Sequence, residues 1–332
     1  SADFEPQTYD VRIDERDSQS RIEGIKTIYE YLRSQEASII EATAWDYQNR
    51  DLHTRLWSCG ARDSNEQTFF DRGSSISLRD PNGKRPSSSY SSPCRQSSRL
   101  LSPEAIATET LKRGRRLLGQ GPEPSGRYDI ILFREASGWL IGPLLNGINA
   151  WSLDQKQSIY MDQKGAAIAP SFVSLREDPF IPGWYGSRVR DGDGFPTRKR
   201  DILSNGVLVD YLVDWYHSRK LSLAPNSGSI TNLVLEAGTR SLEDLISSVD
   251  KGIVVHGFNG GNDNPATGDF SVGIDGFLIS KGRIDRPINE MTISGNFRSL
   301  WQGIQALGSD SFDRSSLITP SIHLGALTVA GT

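Results

Sequence analysis

The chain has 332 residues, a formal net charge of −4 at pH 7 and two cysteines. This length allows two or three domains, and the charge gives no basic face of the kind that binds nucleic acid. Two cysteines are too few for a disulfide-rich secreted scaffold, so we expect free thiols in a reducing compartment. We find no apolar run of about 18 residues and no signal-peptide core near residue 1, and we therefore expect a cytoplasmic protein without membrane helices.

The first 120 residues predict, in chain order, an amphipathic helix, a β-hairpin, a strand, a Ser/Pro-rich linker and a capped helix. These elements are expected at 18–35, 38–60, 67–79, 80–99 and 103–119. The first helix has apolar side chains along one face. The two strands of the predicted hairpin lie on either side of the polar run "YQNRD". The last helix has Pro103 in its first turn behind Ser102 as its cap.

The remaining chain predicts a buried strand at 128–133, an apolar helix at 137–151 and then many short β-type runs. Those runs lie at 167–175, 206–213, 231–237, 252–256, 270–279, 283–294 and 322–330, with helices at 241–249 and 297–307. The spacing is not that of regular βαβ units, so the pattern predicts an α+β fold with large antiparallel sheets. We expect a domain boundary near residue 100, which separates domains at 1–100 and 101–332.

Sequence motifs give little sign of chemistry within the chain. The four histidines, His53, His217, His256 and His323, have no zinc-motif spacing. A calcium loop that starts at Asp263 fails at its third and twelfth positions, and the phosphate, dinucleotide and hydrolase-elbow motifs are absent. His256 is either a hydrogen-bonded residue at a strand end or part of a site. The Asp191 and Asp193 pair is explained equally well by turn chemistry and by catalysis.

The stretch "GGNDNPATGDFSVGIDGFLI" at 260–279 is the most unusual segment of the chain. Its glycines permit positive φ and close chain approach, and Asn264-Pro265 and Thr267-Gly268-Asp269 are turn formers. The pattern predicts a glycine-rich loop that leads into a β-hairpin. Such a loop can pass close to an extended peptide and form hydrogen bonds with its main chain.

The same region resembles the TldD/PmbA (TldE) family, formerly called modulators of DNA gyrase. The resemblance is carried by Thr267-Gly268-Asp269-Phe270-Ser271, Gly273, Gly276-Phe277, Pro287-Ile288, Thr292-Ile293 and Gly295-Asn296. It extends upstream through "EDPFIPGWYGSRVRDGDGFPTRKRDILSNGVLVDYLVDWYHSRKL" and covers residues 127–332 well. Residues 18–80 match the family's N-terminal region only loosely, and that region is expected to be shortened here.

The resemblance implies a heterodimer of a zinc-bearing TldD-type subunit and a TldE-type subunit that lacks zinc. TldD-type chains have an HExxxH helix and a cysteine ligand near the C-terminus. By spacing, these would fall on Ile141 to Asn146 and near Thr319, where no histidine, glutamate or cysteine stands. The resemblance therefore implies the TldE (PmbA) type, with no catalytic or metal-binding residue of its own and with zinc in the partner.

Three functions are carried forward. The first is a non-catalytic subunit of a heterodimeric zinc metallopeptidase that cleaves unfolded or leader peptides. Its peptide-binding or chamber-lining residues are expected to be His256, Asn259, Gly260, Gly261, Asn262, Asn264, Thr267, Gly268 and Asp269. The second is an autonomous homodimeric peptidase with a relocated site at His256, Asp263 and Asp269. The third is a peptide- or protein-binding regulator. None of them involves nucleic acid or a membrane.

Overall fold

The structure is a computed structural model that describes residues 4–332, and it contains two compact units. The N-terminal unit comprises the described residues 4–120 and 181–187. The C-terminal unit comprises residues 121–180 and 188–332. Both contain helices and sheets, which confirms the predicted α+β class. No helix within residues 4–332 is both long enough and apolar enough to span a bilayer.

The N-terminal unit packs two helices on an antiparallel sheet with the strand order β1-β2-β3. Its elements are α1 (Ser18–Gln35), β1 (Ile39–Leu56), β2 (Arg62–Leu78), β3 (Ser87–Ser91) and α2 (Pro103–Arg115), with short 3-10 helices at Val11–Glu15 and Ser97–Arg99. Apolar side chains of both helices and the sheet share one core, which includes Ile28, Leu32, Ile76 and Ile106.

The two helices of this unit were predicted well, whereas its hairpin was not. Asp17 caps α1 by accepting a hydrogen bond from Ser20 N at 2.7 Å, and Ser102 caps α2. The hairpin predicted within 38–60 is wrong, because β1 runs unbroken through "YQNRD" and pairs with β2 along its length. Pairing with a long neighbour satisfies the backbone of a polar run that, read alone, favours a turn. The predicted linker contains β3, which pairs with β2.

The C-terminal unit contains a six-stranded sheet with the order β11-β10-β9-β4-β14-β12 and a five-stranded sheet with the order β13-β8-β5-β6-β7. The strands are β4 (Gly126–Leu132), β5 (Leu175–Glu177), β6 (Arg200–Ser204), β7 (Val207–Leu208), β8 (Leu233–Leu235), β9 (Lys251–Asp263), β10 (Asp269–Ser280), β11 (Arg283–Asn296), β12 (Ala306–Leu307), β13 (Leu317–Ile318) and β14 (Ile322–Ala330). The helices are α3 (Gly138–Gly147), α4 (Ala150–Asp154), α5 (Trp215–Leu221), α6 (Leu242–Ser247) and α7 (Phe297–Gln302).

The larger sheet closes on itself, because β11 also pairs with β14. Its strands are antiparallel except for β4 and β9, which run parallel. One core lies between this sheet, α3, α7 and the smaller sheet, and its fully buried side chains include Tyr128, Tyr160 and Trp301. Closure leaves few unpaired backbone groups, which makes any strand edge that stays open informative.

The predicted elements of this unit differ from the observed ones mainly in length. The hairpin strands near 252–294 are longer than predicted, while the runs at 167–175 and 206–213 are mostly irregular. The apolar helix predicted at 137–151 is divided into α3 and α4, because Asn149 starts a new helix by accepting from Trp151 N at 2.9 Å. Helix α5 was not predicted.

Candidate functional site

The turn between β9 and β10 is held together by its own side chains. The Asn264 Oδ1 atom accepts hydrogen bonds from two backbone amides of the turn, at 3.0 and 3.4 Å. The Asn296 Nδ2 atom donates to the Thr267 carbonyl at 2.8 Å and to the Asp269 carboxylate at 2.9 Å. The hydrogen bonds from Asn296 and from Thr267 hold the pKa of Asp269 below its usual range. Four predicted site residues, Asn264, Thr267, Gly268 and Asp269, thus form a self-supporting scaffold.

The outer half of β9 has an open edge. On one side β9 pairs with β10 over its whole length. On the other side β4 pairs with residues 252–255 only, and its last backbone bond is from Phe133 N to Val255 O at 2.9 Å. Beyond that point, no other segment of residues 4–332 forms backbone hydrogen bonds with residues 257–263. The predicted site residues Asn259, Gly260, Gly261 and Asn262 lie on this edge and are exposed.

Two bulges bend β9 against β10. At the first bulge, His256 is the extra residue that β9 has relative to β10. The second places Gly260 and Gly261 opposite the single residue Val272. Gly261 has a φ of +108°, and a Cβ on it would lie 2.5 Å from the Ser271 carbonyl oxygen. Only glycine fits there, and the bulge twists the open edge away from the rest of the strand.

His256 lies apart from the other predicted site residues. Its ring stacks on Phe133 at 4.3 Å between ring centroids and meets the edge of Phe277 at 5.0 Å. Asp275 of β10 pairs with Gly257, the residue next to His256. Asp269 lies six residues away from Asp275 along β10. Six strand residues span about 20 Å. The structure therefore does not bring His256 and Asp269 together.

An aromatic cluster, which sequence reasoning missed, lies between α3 and the glycine-rich strands. Trp139 stacks on Phe258 at 4.4 Å between ring centroids and contacts Phe270 at 5.2 Å and Phe297 at 5.3 Å. Such offset and edge contacts stabilise beyond the area they bury. The cluster fixes α3 against the base of the β9–β10 hairpin. Its four members come from four different elements, so no local sequence pattern points to the cluster.

A small recess of about 30 Å³ adjoins this cluster. It is lined by α3 on one side and by the β9–β10 turn on the other, through Pro143, Asn146, Gly147, Ile159, Asp263, Pro265, Gly268 and Phe297. A space of this size holds about one water molecule or one methyl group. The recess is too small for a substrate, but it opens beside the end of β9.

The residues at the family's zinc positions do not fit a zinc ion. Of the two histidine positions of the HExxxH motif, Ile141 is fully buried in the apolar core and Asn146 is an exposed, uncharged amide. The glutamate position is Gly142, which has no side chain. The Thr319 hydroxyl donates to the Arg134 carbonyl at 3.1 Å and is not a thiolate. Within residues 4–332, no three His, Cys, Asp or Glu side chains are grouped closely enough to hold a metal.

Asp275 is the most unusual carboxylate near the open edge, and sequence reasoning did not select it. It is half-buried on β10, opposite Gly257. Burial raises the pKa of Asp275, although a hydrogen bond from the Asn259 side chain opposes that effect. A raised carboxylate pKa near an accessible strand edge is typical of functional positions as well as of structural ones.

Comparison with known proteins agrees with this architecture. Residues 125–331 match the profile of the PmbA/TldA metallopeptidase C-terminal domain. The metalloprotease PmbA homolog of Buchnera aphidicola (from Acyrthosiphon pisum, strain APS) is 30% identical over 276 residues, which are 82% of this chain and 62% of that protein. The chain thus spans less than two thirds of this relative's length.

Solved structures show the same fold over nearly the whole chain. A protein from Bacteroides thetaiotaomicron VPI-5482, provisionally named a modulator of DNA gyrase, superimposes with a TM-score of 0.95 at 31% identity. The match covers 99% of this chain and 75% of that one. TldE from Thermococcus kodakarensis has a TM-score of 0.84 at 22% identity, and the match covers 99% of this chain and 78% of that one. The profile match and these likenesses together show that the chain belongs to the TldD/PmbA (TldE) metallopeptidase family.

Proposed function

We propose that this chain is a non-catalytic, peptide-binding subunit of a heterodimeric metallopeptidase, and that zinc and the general base come from a TldD-type partner. A peptidase of this kind needs two histidines on one helical face, a further ligand and a base that activates water. Here the corresponding positions of α3 are Ile141, Gly142 and Asn146, none of which supplies an imidazole or a carboxylate. This donor chemistry supports a division of labour between two subunits.

The observation that carries the proposal is the open edge of β9 at residues 257–263. An extended peptide that pairs there gains main-chain hydrogen bonds without any requirement on its side chains. The glycines and short polar residues of this edge leave room for a second backbone. An unfolded or leader peptide is the ligand class that fits, since a folded protein has its own backbone groups already paired.

Neither cysteine forms a disulfide within residues 4–332; Cys59 is exposed and Cys94 is buried. Cysteines without disulfides are typical of reducing compartments, and we propose a cytoplasmic protein on this ground. The net charge of −4 favours a peptide over a nucleic acid as ligand.

Strand addition can be tested with one unstructured peptide and its backbone N-methylated counterpart. The methyl groups remove alternate amide donors but keep every side chain. We expect the unmodified peptide to bind and to slow hydrogen exchange of the amides at 257–263, because those groups become paired. The N-methylated peptide is expected to bind much more weakly. Equal binding of both peptides, or protection confined to other segments, would show that the open edge is not the peptide site.

A further inference from the structure

The Asn259 and Asp275 side chains form a polar pair above two glycines. The Asn259 side chain lies close enough to the Asp275 carboxylate to lower its pKa, against the larger effect of burial. A Cβ on Gly257 would lie 2.6 Å from Asp275 Oδ1, and a Cβ on Gly273 would lie 2.2 Å from Asn259 Oδ1. Since real Cβ atoms do not approach this closely, any larger residue at either position would displace the pair. These two glycines leave the space that the Asn259 and Asp275 side chains occupy.

The sheet bends at this level on both sides of β10. On β9 the bulge at His256 lies next to Gly257, and on β11 a second bulge places Asn289 and Glu290 opposite Asp275 alone. Because both neighbouring strands have a bulge beside Asp275, the direction of the Asp275 side chain changes relative to a regular strand. No lysine, arginine or histidine of residues 4–332 forms an ion pair with Asp275, and burial raises the pKa of this group. The carboxylate therefore lacks the cation that would stabilise its charged form.

The Asp275 carboxylate is within reach of a peptide on the open edge. Neighbouring strands lie about 4.8 Å apart, so an added strand would lie about 10 Å from β10, with β9 between them. Gly257 has no side chain to block the way, and the Asp275 carboxylate leans over it. A lysine or arginine side chain extends about 6 Å from its Cα. A cationic side chain opposite Gly257 could thus lie over this glycine and meet the carboxylate.

We infer that Asp275, which lies over Gly257, selects a lysine or arginine side chain in the peptide that pairs with the open edge of β9. This inference rests on the proposed strand addition and adds a specificity to it. Main-chain pairing supplies affinity for any extended peptide, and the Asp275 carboxylate then favours those peptides with a cation at one position. Charge-assisted hydrogen bonds of this type are stronger than neutral ones.

The test compares short unstructured peptides, blocked at both ends, in which lysine or norleucine is placed at each position in turn. Blocking removes the terminal ammonium as a competing cation, and norleucine keeps the aliphatic stem. We expect lysine at one position to tighten binding about five- to tenfold, as measured by fluorescence anisotropy. Asp275→Asn is expected to abolish this preference while it leaves the affinity for the norleucine peptide unchanged.

Two further variants separate selection from general electrostatics and from misfolding. Gly257→Ala retains the carboxylate but displaces it from its place over residue 257, so the lysine preference should fall here too. Asp285→Asn removes the same charge from the exposed part of β11 and should keep the preference. If the wild type binds lysine and norleucine peptides equally at every position, the inference is wrong and strand addition stands. If neither peptide binds, the lysine selection and the strand addition are both wrong.

Discussion

Gly276 offers a quantitative test of how tightly β9 and β10 are paired. A Cβ on Gly276 would lie 2.0 Å from the Val254 carbonyl oxygen and 3.1 Å from the Val255 Cα, and both of these are backbone atoms. An unbonded carbon and oxygen need more than about 3 Å, so Gly276→Ala must push the strands apart by about 1 Å. We expect the loss of about two ladder hydrogen bonds, at about 1 kcal/mol each, and a further 1–3 kcal/mol of overpacking.

The expected destabilisation is therefore about 3–5 kcal/mol, which would appear in urea unfolding as a lower midpoint. Gly24→Ala is the matched control. Gly24 lies inside α1, and its added Cβ would meet Pro103 at 3.5 Å, an ordinary contact. Alanine in a helix interior is favoured over glycine, so this variant should be about 0.5–1 kcal/mol more stable. A Gly276→Ala protein within about 1 kcal/mol of wild type would refute the close pairing of β9 with β10.

Two other predictions concern acid stability and metal content. Asp10 is buried, which tends to raise its pKa, but hydrogen bonds from Arg12 and Ser97 prevail and lower the pKa to about 2. A carboxylate whose pKa is lowered in the folded state stabilises the fold at pH values above its unfolded pKa, near 3.8. This stabilisation is lost as the pH falls towards 2. Asp10→Asn should therefore cost about 1–2 kcal/mol at pH 7 and little at pH 2, as measured by denaturant unfolding at both pH values. Elemental analysis of the chain purified alone should find less than about a tenth of an equivalent of zinc, whereas stoichiometric zinc would reveal an unrecognised set of ligands.

The sequence predicted the β9–β10 turn because its signals are local. Asn264-Pro265 and the Thr267-Gly268-Asp269 run specify a turn by their own hydrogen bonds and by the positive φ of Gly268, which is +81°. Residues close in the sequence form the turn, and a hydrogen bond from the more distant Asn296 side chain supports it.

The proposed cluster of His256, Asp263 and Asp269 illustrates why proximity in sequence misleads in long strands. Each residue adds about 3.3 Å, so side chains that are close in the sequence of an extended hairpin are spread over its length. His256 instead contacts the ring of Phe133, which follows β4, and the ring of Phe277 on β10. The second bulge, which lies at Gly260 and Gly261, also twists the outer edge of β9. The sequence pattern did not predict this twist.

Asp275 was missed for a different reason. In the sequence it is one aspartate in "GIDGF", and its unusual character comes from residues that pairing brings beside it. Gly257 and Asn259 lie on another strand, and the bulges at His256 and Glu290 decide which of their atoms face the carboxylate. Strand register is set by the whole sheet, so a polar pair across two strands becomes visible only once the register is known.

Closure of the larger sheet explains why the open edge lies where it does. Pairing of β11 with β14 removes the outer edges that a sheet of this size would otherwise expose. β4 ends at Leu132, whereas β9 continues to Asp263, so the outer half of β9 extends beyond its parallel neighbour. Natural proteins usually cover or blunt such an edge. An exposed edge that is instead rich in glycine, bent by bulges and adjacent to a half-buried carboxylate supports the proposal that a peptide pairs with it.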